Sequence, residues 1–518
     1  MPSAISHLVA VKNAFNARLL LSCSLIAFSQ MNFGFDSTAF QATQAMDAFA
    51  ETFGVYNTTT KKWYLESTYL SLLNALPFIG FGAGLFAGST VSARFGRRMV
   101  MFTMSVYALI SVPITVLSTS KEQMLAARII NFAYLGMELS VVPIFQAEIV
   151  PPKVRGLVVA TYQLCVYIGG VIMSIVCQST AKMQGDLQWR IPLALFAFVP
   201  LVVTVLIWFI PESPRWLLMH GRHEDSLRSL RILRRGKFTD EEIEMEFNSL
   251  QIILAEEHEQ GNFMEIFQGP NLKRTWITVG INFFLQITGQ VFTSRYGTIY
   301  IKSLGTVDPF IMTIVNQAVN LTGILFSMAF VDSVGRRPLL IFSGGLQAAS
   351  LFAMGGLGTP KIITNAMKTG VVALITVFNF GFTSGLAPLS HTISAEIPTS
   401  RLRDMTYRTA SAVNVLALLT LITHRLVVTL VIPYLLDAPY AALGSKVGFI
   451  FGSFAICSMI FTYFCIPECK GKTLEEIDRL FIEKVPIRKF KHTKLPVEFM
   501  SKTTEGVKSE EVVQVECA

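Results

Sequence analysis

Long apolar runs of about 20 residues recur along this chain and are separated by short polar segments. About 20 helical residues span the roughly 30 Å hydrocarbon core of a bilayer, so each run predicts a transmembrane helix. The pattern predicts an all-α membrane protein with twelve such helices, near residues 18–40, 66–93, 98–118, 122–147, 156–178, 190–210, 275–302, 308–332, 337–357, 370–395, 406–432 and 446–466.

The polar segments divide the chain into five parts. One long polar segment lies between the sixth and seventh helices, and within it Thr239 and Glu242 have the spacing of a capping box, which predicts a helix there. We predict a cytoplasmic N-terminus, a first bundle of six helices, a helical cytoplasmic linker, a second bundle of six helices and a cytoplasmic tail, at residues 1–17, 18–210, 211–274, 275–466 and 467–518.

Basic residues concentrate in every second loop. Loops rich in Lys and Arg stay on the cytoplasmic side, so both termini are predicted to be cytoplasmic, with the plasma membrane as the expected location. This topology explains the net charge of +8 without nucleic acid binding. The chain is 52% hydrophobic and 15% charged, and no spacing of its seven Cys or of nucleophiles and bases suggests a metal site, a cofactor or an enzyme.

Three charged motifs occur twice, in the same order. RFGRR, EIVPPKVRG and PESPRWL in the first half correspond to VGRRPLL, EIPTSRLRD and PECKGKT in the second. The offsets of matching residues are 239 (336 − 97), 248 (396 − 148) and 256 (468 − 212). Such a repeat predicts a transporter with two related six-helix inverted-repeat bundles and an alternately exposed central site.

The motifs place arginines near glutamates at cytoplasmic helix ends. Ion pairs between them predict an inner gate that holds the two bundles together while the central site faces outward. The alternative is that the arginines only anchor the helices at the membrane surface. The predicted gate residues are Arg97, Glu148, Arg155, Glu212, Arg215, Arg336, Glu396, Arg403 and Glu468.

Asp36 lies inside the first apolar run, where an ionised side chain costs about 2.5 to 3.5 kcal/mol on insertion scales. Arg128, in the fourth run, lies at a similar predicted depth and is the candidate partner. A carboxyl group that alternates between paired and protonated states couples a proton to a conformational step. The alternative is a static ion pair that satisfies two buried charges.

Four amide side chains fall near mid-membrane depth on four different helices. Amides donate and accept hydrogen bonds, which suits hydroxyl groups that do both. Nearby aromatic side chains, Tyr162, Phe292 and Tyr296, are suited to stacking on a ring. The alternative role is hydrogen bonding between helices. The predicted substrate ligands are Gln163, Gln286, Asn320 and Asn414.

PESPRWL after the sixth helix, PECKGKT after the twelfth and Phe33-Gly34-Phe35-Asp36 in the first resemble signature motifs of the sugar porters of the major facilitator superfamily. The resemblance extends over about residues 20–490. EIPTSRLR, from Glu396, is similar to fungal maltose and α-glucoside permeases, whereas the first half is closer to fungal hexose porters. The resemblance implies a proton symporter for a hexose or an α-glucoside, with Asp36 as proton site and Arg128 as its partner.

The alternatives on this fold are an exporter of a small secondary metabolite and a passive sugar facilitator. Against the family pattern, the seventh helix retains Gln286 but lacks the usual second Gln and Asn, Ala93 replaces an acidic residue, and the eleventh run carries His424 and Arg425. We expect a monomer in contact with membrane lipid. The sequon at Asn57, in the first outward loop, predicts glycosylation.

Overall fold

The computed structural model describes residues 15–58, 61–151, 155–256, 269–360, 362–397, 427–436 and 441–470, and, in the tail, 477, 479–481, 483, 485–490 and 493. The predictions for Asn414, Arg403 and the His424 and Arg425 segment lie outside these residues. The side chains of Arg155 and Glu396 also lie outside this description.

The first half is helical apart from one small hairpin. Strands β1 (Val55–Asn57) and β2 (Lys62–Tyr64) pair antiparallel. Predicted helices one and two are each interrupted, at Gln30 and at Leu76, where Pro77 follows. The helices are α1 (Ala17–Ser29), α2 (Met31–Thr43), α3 (Asp47–Phe53), α4 (Ser67–Ala75), α5 (Pro77–Phe95), α6 (Arg97–Val116), α7 (Lys121–Ile149), α8 (Arg155–Thr180), α9 (Leu187–Ala194) and α10 (Phe198–Leu206).

Three helices occupy the polar segment between the halves: α11 (Pro214–Met219), α12 (His223–Arg234) and α13 (Asp240–Glu256). The predicted capping box is confirmed, because the Glu242 amide donates to the Thr239 hydroxyl at 3.2 Å and the Thr239 amide donates to the Glu242 carboxylate at 2.9 Å. Arg234 donates to the Ile149 carbonyl at 2.8 Å and pairs with Glu246, which docks this segment on the end of α7.

The second half repeats the helical plan. Its seventh predicted helix is interrupted after Ile287, and both this helix and the tenth contain a π-helical turn, at Phe292–Tyr296 and Phe382–Leu386. The helices are α14 (Gly269–Ile287), α15 (Gly297–Leu304), α16 (Pro309–Val334), α17 (Arg336–Leu357), α18 (Asn365–Gly381), α19 (Ala387–Glu396), α20 (Val427–Leu436) and α21 (Val447–Cys465).

Nine helical segments of the described residues are long and apolar enough to cross a membrane. The other three predicted spans are the first, broken at Gln30, the seventh, broken after Ile287, and the eleventh, of which only α20 is described. Each half also has its own buried apolar cluster, one centred on residues such as Phe49 and Trp189 and the other on residues such as Phe292 and Phe451.

Close backbone contact fixes α5 against α7. Gly80, Gly84 and Gly88 recur every fourth residue of α5, and a Cβ atom at Gly84 would lie 1.9 Å from the Ala133 carbonyl oxygen. Small residues at this spacing let two membrane helices pack backbone to backbone. The contact fixes the position of α7, the helix that carries Arg128.

Candidate functional site

The structure places Asp36 and Arg128 in a buried ion pair between α2 and α7. Arg128 Nη1 lies 2.5 Å from Asp36 Oδ1, and Nη2 lies 3.3 Å from Oδ2. The side chains are 2% and 1% exposed, respectively. Asn131, one turn further along α7, approaches the same carboxylate at 3.5 Å. The pair is therefore a nearly dry, bidentate contact of the kind that binds most strongly when both partners are charged.

Local sequence sets the position of both partners. Ser120 caps the start of α7 by accepting from the Gln123 amide at 3.2 Å, and Arg128 follows two turns later. The interruption at Gln30 starts α2 as a separate helix, whose buried face includes Asp36 and Phe40. The Arg128 guanidinium lies 3.6 Å from the centre of the Phe40 ring, which adds a cation–π contact in a desolvated site.

Phe132 connects this ion pair with a second arginine, from the other half of the molecule. The guanidinium carbons of Arg128 and Arg295 lie 4.7 Å and 5.5 Å from the centre of the Phe132 ring. Arg295 belongs to the π-helical turn after the interrupted seventh helix and also lies over Phe78, at 5.8 Å. Phe132 thus lies between the partner of Asp36 and a residue of the second half.

Arg295 lines a cavity of about 160 Å³ between the two halves. Among the described residues that line it, Arg295 is the only charged side chain. The other polar side chains offer hydroxyl and amide groups from both halves: Ser37, Thr38, Gln41, Gln163, Gln290, Thr293, Ser294, Thr313, Asn316, Gln317, Asn320, Asn379 and Thr383. Such a lining binds a polar, hydrogen-bonding molecule.

Two of the four predicted amides line this cavity. Gln163 and Asn320 do so, and Asn320 also approaches Gln317 at 3.4 Å. Gln286 does not line the cavity but is fully buried, which corrects its predicted place. The reason is the end of α14 at Ile287: the following turn at Gly289 (φ +100°) redirects the backbone, so that Gln290 reaches the cavity.

The aromatic prediction is partly wrong. Phe292 and Tyr296 are buried in the apolar cluster of the second half, where Phe292 packs edge-on against Tyr300 and the Tyr296 hydroxyl donates to the Thr429 carbonyl. Both rings lie at the ends of the π-helical turn, and the residues between them, Thr293, Ser294 and Arg295, line the cavity instead. The aromatic side chains that do line it are Phe33, Phe78, Tyr167 and Phe382.

Sequence reasoning missed several lining residues, including Asn316, Gln317, Asn379 and Arg295. A signal was present in α16, since Asn316 and Asn320 are four residues apart and therefore share one helix face. Arg295 also had a signal, because a charged side chain inside an apolar run is costly, and the same cost singled out Asp36.

The predicted gate residues of the first half form contacts within that half. Arg97 makes a bidentate pair with Glu148, at 2.8 and 2.9 Å. Glu212 accepts from the backbone amides of Arg97, Arg98 and Ser213 and so caps the start of α6. Burial raises the pKa of Glu212, and the amide donors and Arg98 act against that rise.

The second half repeats this cap. Glu468 accepts from the backbone amides of Arg336 and Arg337 at 3.1 and 3.0 Å. Gly96 and Gly335 precede the capped helices with φ values of +97° and +105°, and a Cβ atom at either would lie within 2.6 Å of the capping carboxylate. We call these two carboxylate-capped turns the brackets.

The predicted latch between the halves belongs to the state in which the central site faces outward, and it stays a prediction for Arg97, Glu148, Glu212, Arg336 and Glu468. In this structure each bracket, and the Arg97–Glu148 pair, joins parts of one half. The repeat itself explains this, because a motif inherited with each half makes the same contacts inside each half. Arg215 lies at the start of α11. The bracket and Arg97–Glu148 contacts cluster at one end of the molecule, here called the arginine end.

Hydrogen bonds between the halves, among the described residues, lie beside the cavity and towards the opposite end. Gln41 donates to the Thr293 carbonyl and Gln317 donates to the Thr38 hydroxyl, both at 2.9 Å. At the opposite end, the Lys302 ammonium group donates to the Ala45 carbonyl and to Asp47, at 2.6 and 2.7 Å. The structure is therefore closed at the end away from the arginines.

Replacing Lys302 by Met removes both contacts at this closed end. The pair with Asp47 is exposed and contributes little, and the carbonyl contact contributes about 1 kcal/mol, so we expect the open population at this end to rise about fivefold. The measurement is the labelling rate of Ser294→Cys, in a background without the native cysteines, by a membrane-impermeant thiol reagent. Lys182→Met, at the same end, is the control, and equal rates in both variants would contradict the prediction.

No group of three or more metal-ligating side chains occurs in the part of the chain that the structure describes. Asn57, the predicted glycan site, lies half-buried in β1, at the end of the molecule opposite the arginines. Its modification stays a prediction.

Comparison with known proteins gives a consistent result. The family model described as "Sugar (and other) transporter" matches residues 22–481. The chain is 26% identical over 476 residues to the high-affinity glucose transporter ght2 of Schizosaccharomyces pombe, covering 90% of this chain and 88% of that protein. It is 28% identical over 481 residues to the major facilitator-type transporter ecdD of Aspergillus rugulosus, with 90% and 87% covered.

A solved structure shows the same fold. The major facilitator superfamily proton:xylose symporter XylE, bound to 6-bromo-6-deoxy-D-glucose, matches with a TM-score of 0.70 and 20% identity over 90% of this chain and 100% of that one. This likeness confirms the predicted all-α major facilitator fold of a multi-pass membrane protein.

Proposed function

Because the chain belongs to the family of sugar (and other) transporters, we propose that it is a monomeric, proton-coupled importer of a monosaccharide. The site is exposed alternately to each side by movement of one half against the other. We further propose the plasma membrane as its location, with both termini cytoplasmic and Asn57 on the outer side. In this orientation the arginine end faces the cytoplasm, and the structure is closed towards the outside.

The observation that carries this proposal is the polar cavity beside a buried carboxylate–arginine pair. Amides and hydroxyls from both halves surround the cavity, which suits a molecule that both donates and accepts hydrogen bonds. Its volume of about 160 Å³ is below the 300 to 1,000 Å³ common for drug-sized ligands. The size favours a single sugar ring over an α-glucoside with two.

Proton coupling is supported by the isolation of Asp36. In its ionised form the carboxylate holds Arg128, and protonation would release Arg128 from a charged partner in a site that water barely reaches. Phe132 lies between Arg128 and Arg295, so this change reaches the cavity lining. The proton and the sugar thereby act on neighbouring groups, which is the requirement for coupling two binding events.

The proposal is tested by uptake of radiolabelled hexoses, pentoses and maltose into a yeast strain without its own sugar carriers, with and without a pH gradient. We expect accumulation of a monosaccharide with alkalinisation of the medium. Uptake that only equilibrates, at the same rate in both conditions, would instead indicate a passive facilitator.

A second candidate is export of a small acidic metabolite, favoured by the positive charge of Arg295 in the cavity wall. An anion would be attracted to this cavity, because Arg295 is the only charged side chain among the described residues that line it. Resistance to such a compound on expression, with no sugar uptake, would support this alternative over the first.

The cavity amides give a quantitative test of binding. Gln163→Ala and Asn320→Ala each remove about one hydrogen bond to substrate, which corresponds to about 1 kcal/mol and a roughly threefold to tenfold higher KM for uptake. Asn248→Ala, on the exposed face of α13, is the matched control. If neither cavity variant changes KM, these amides do not bind the sugar.

A further inference from the structure

Glu138 is a buried carboxyl group that the site described above does not use. It lies in α7, ten residues after Arg128, and is 0% exposed. In the part of the chain that the structure describes, no donor lies in hydrogen-bond geometry with either carboxylate oxygen, although the Tyr134 and Ser29 hydroxyls are nearby. An ionised carboxylate in such a place costs several kcal/mol, and the group avoids this cost by holding a proton.

Glu138 belongs to a row of buried polar atoms between the first helix and α7. Side-chain atoms of Gln30, Asn32, Tyr134 and Gln146 are also buried without a hydrogen-bond partner among the described residues. On α7, Arg128, Asn131, Tyr134, Glu138 and Gln146 fall within an arc of about 120° at 100° per residue, so they share one face. Buried polar atoms of this kind are the usual partners of internal water, each molecule of which makes about three hydrogen bonds.

The position of Glu138 along α7 is the second observation. Arg128, Glu138 and Glu148 follow one another at intervals of ten residues, or about 15 Å each at 1.5 Å per residue. Arg128 holds Asp36 at the first position, and Glu148 pairs with Arg97 at the arginine end. Glu138 therefore lies midway between the buried ion pair and the arginine end.

The charged and titratable groups near Glu138 do not neutralise it. Asp36 of α2 is within electrostatic range and is itself an acid, and the nearby hydroxyls of Tyr134 and Ser29 carry no positive charge. The arginines of the packed helices, Arg94 of α5 and Arg97 and Arg98 of α6, lie at the arginine ends of those helices.

We propose that Glu138 is a second proton-binding residue, which carries the proton between Asp36 and the arginine end through water held by this polar row. The inference rests on the proposed proton coupling. One O–H bond breaks at Asp36 and one forms, through hydrogen-bonded water, on one oxygen of Glu138. The proton already on the other oxygen of Glu138 leaves towards Glu148, so Glu138 stays neutral and no charge accumulates.

The test uses the full-length protein in proteoliposomes with labelled sugar and a pH gradient. Glu138→Gln keeps the size and neutral charge of the side chain but cannot release a proton. We expect it to lower gradient-driven accumulation at least tenfold while exchange of labelled for unlabelled sugar at equal pH persists. Glu122→Gln, an exposed change on the same helix, is the matched control and should accumulate like the unmodified protein.

Each outcome decides one question. If the unmodified protein does not accumulate sugar, the proposed proton coupling is wrong, and the role of Glu138 falls with it. If it accumulates and Glu138→Gln accumulates equally, the role of Glu138 is overturned. If Glu138→Gln also loses exchange, Glu138→Asp decides: restored accumulation supports proton carriage, and no restoration overturns it. Infrared difference spectra should also show a protonated carboxyl band that Glu138→Gln lacks.

Discussion

Asp36→Asn is expected to abolish gradient-driven accumulation while sugar exchange continues. With one proton per sugar, a gradient of one pH unit supplies about 1.4 kcal/mol and supports about tenfold accumulation. Asparagine matches the shape of the carboxyl group and still accepts from Arg128, but it does not gain or lose a proton. The expected accumulation ratio therefore falls from about ten to about one.

The measurement is the steady-state ratio of internal to external labelled sugar in proteoliposomes, with exchange at equal pH measured on the same preparation. Asp225→Asn, a neutralised carboxyl on the exposed linker helix α12, is the control. A ratio near ten in Asp36→Asn would show that the proton binds elsewhere, and the ion pair would then be structural.

Arg128→Leu is expected to destabilise the protein strongly. The substitution leaves Asp36, 2% exposed, without its cation, and removal of one partner from a buried pair costs about 3 to 5 kcal/mol. It also removes the cation–π contacts with Phe40 and Phe132. A lower melting temperature is expected in fluorescence-detected size-exclusion chromatography of the detergent-solubilised protein.

The double variant Asp36→Asn with Arg128→Leu separates charge from packing. It removes both charges, so stability should recover most of the loss seen in Arg128→Leu. Equal melting temperatures for Arg128→Leu and the unmodified protein would mean that the pair contributes no stability. Failure of the double variant to recover would assign the loss to packing around Phe40 and Phe132.

The ion pair could be predicted from the sequence, using the membrane depth of each residue and the free-energy cost of burying its charge. Asp36 and Arg128 stand out because a charged side chain in an apolar run costs free energy of insertion. Helix geometry places both residues at a similar depth in the membrane. The helical linker was likewise predicted, because the capping box of Thr239 and Glu242 is local. These features depend on spacing along one helix or on the charge of single residues.

Features that depend on helix interruptions or on contacts between distant segments were not predicted. After the break at Ile287 it is Gln290, not Gln286, that lines the cavity, and Phe292 and Tyr296, at the ends of the π-helical turn, lie in the core. The contact between Lys302 and Asp47 joins residues 255 positions apart, and no sequence pattern encodes it. The brackets had a visible motif, but the motif does not reveal whether its partners lie in the same half.

The brackets have an evolutionary consequence. Because Glu212 and Glu468 each secure a helix start inside their own half, neither half depends on the other for this element of its structure. The same bracket in both halves indicates that a single six-helix unit carried it before duplication. Side chains of both copies now line one cavity, so the two copies diverged around a shared site.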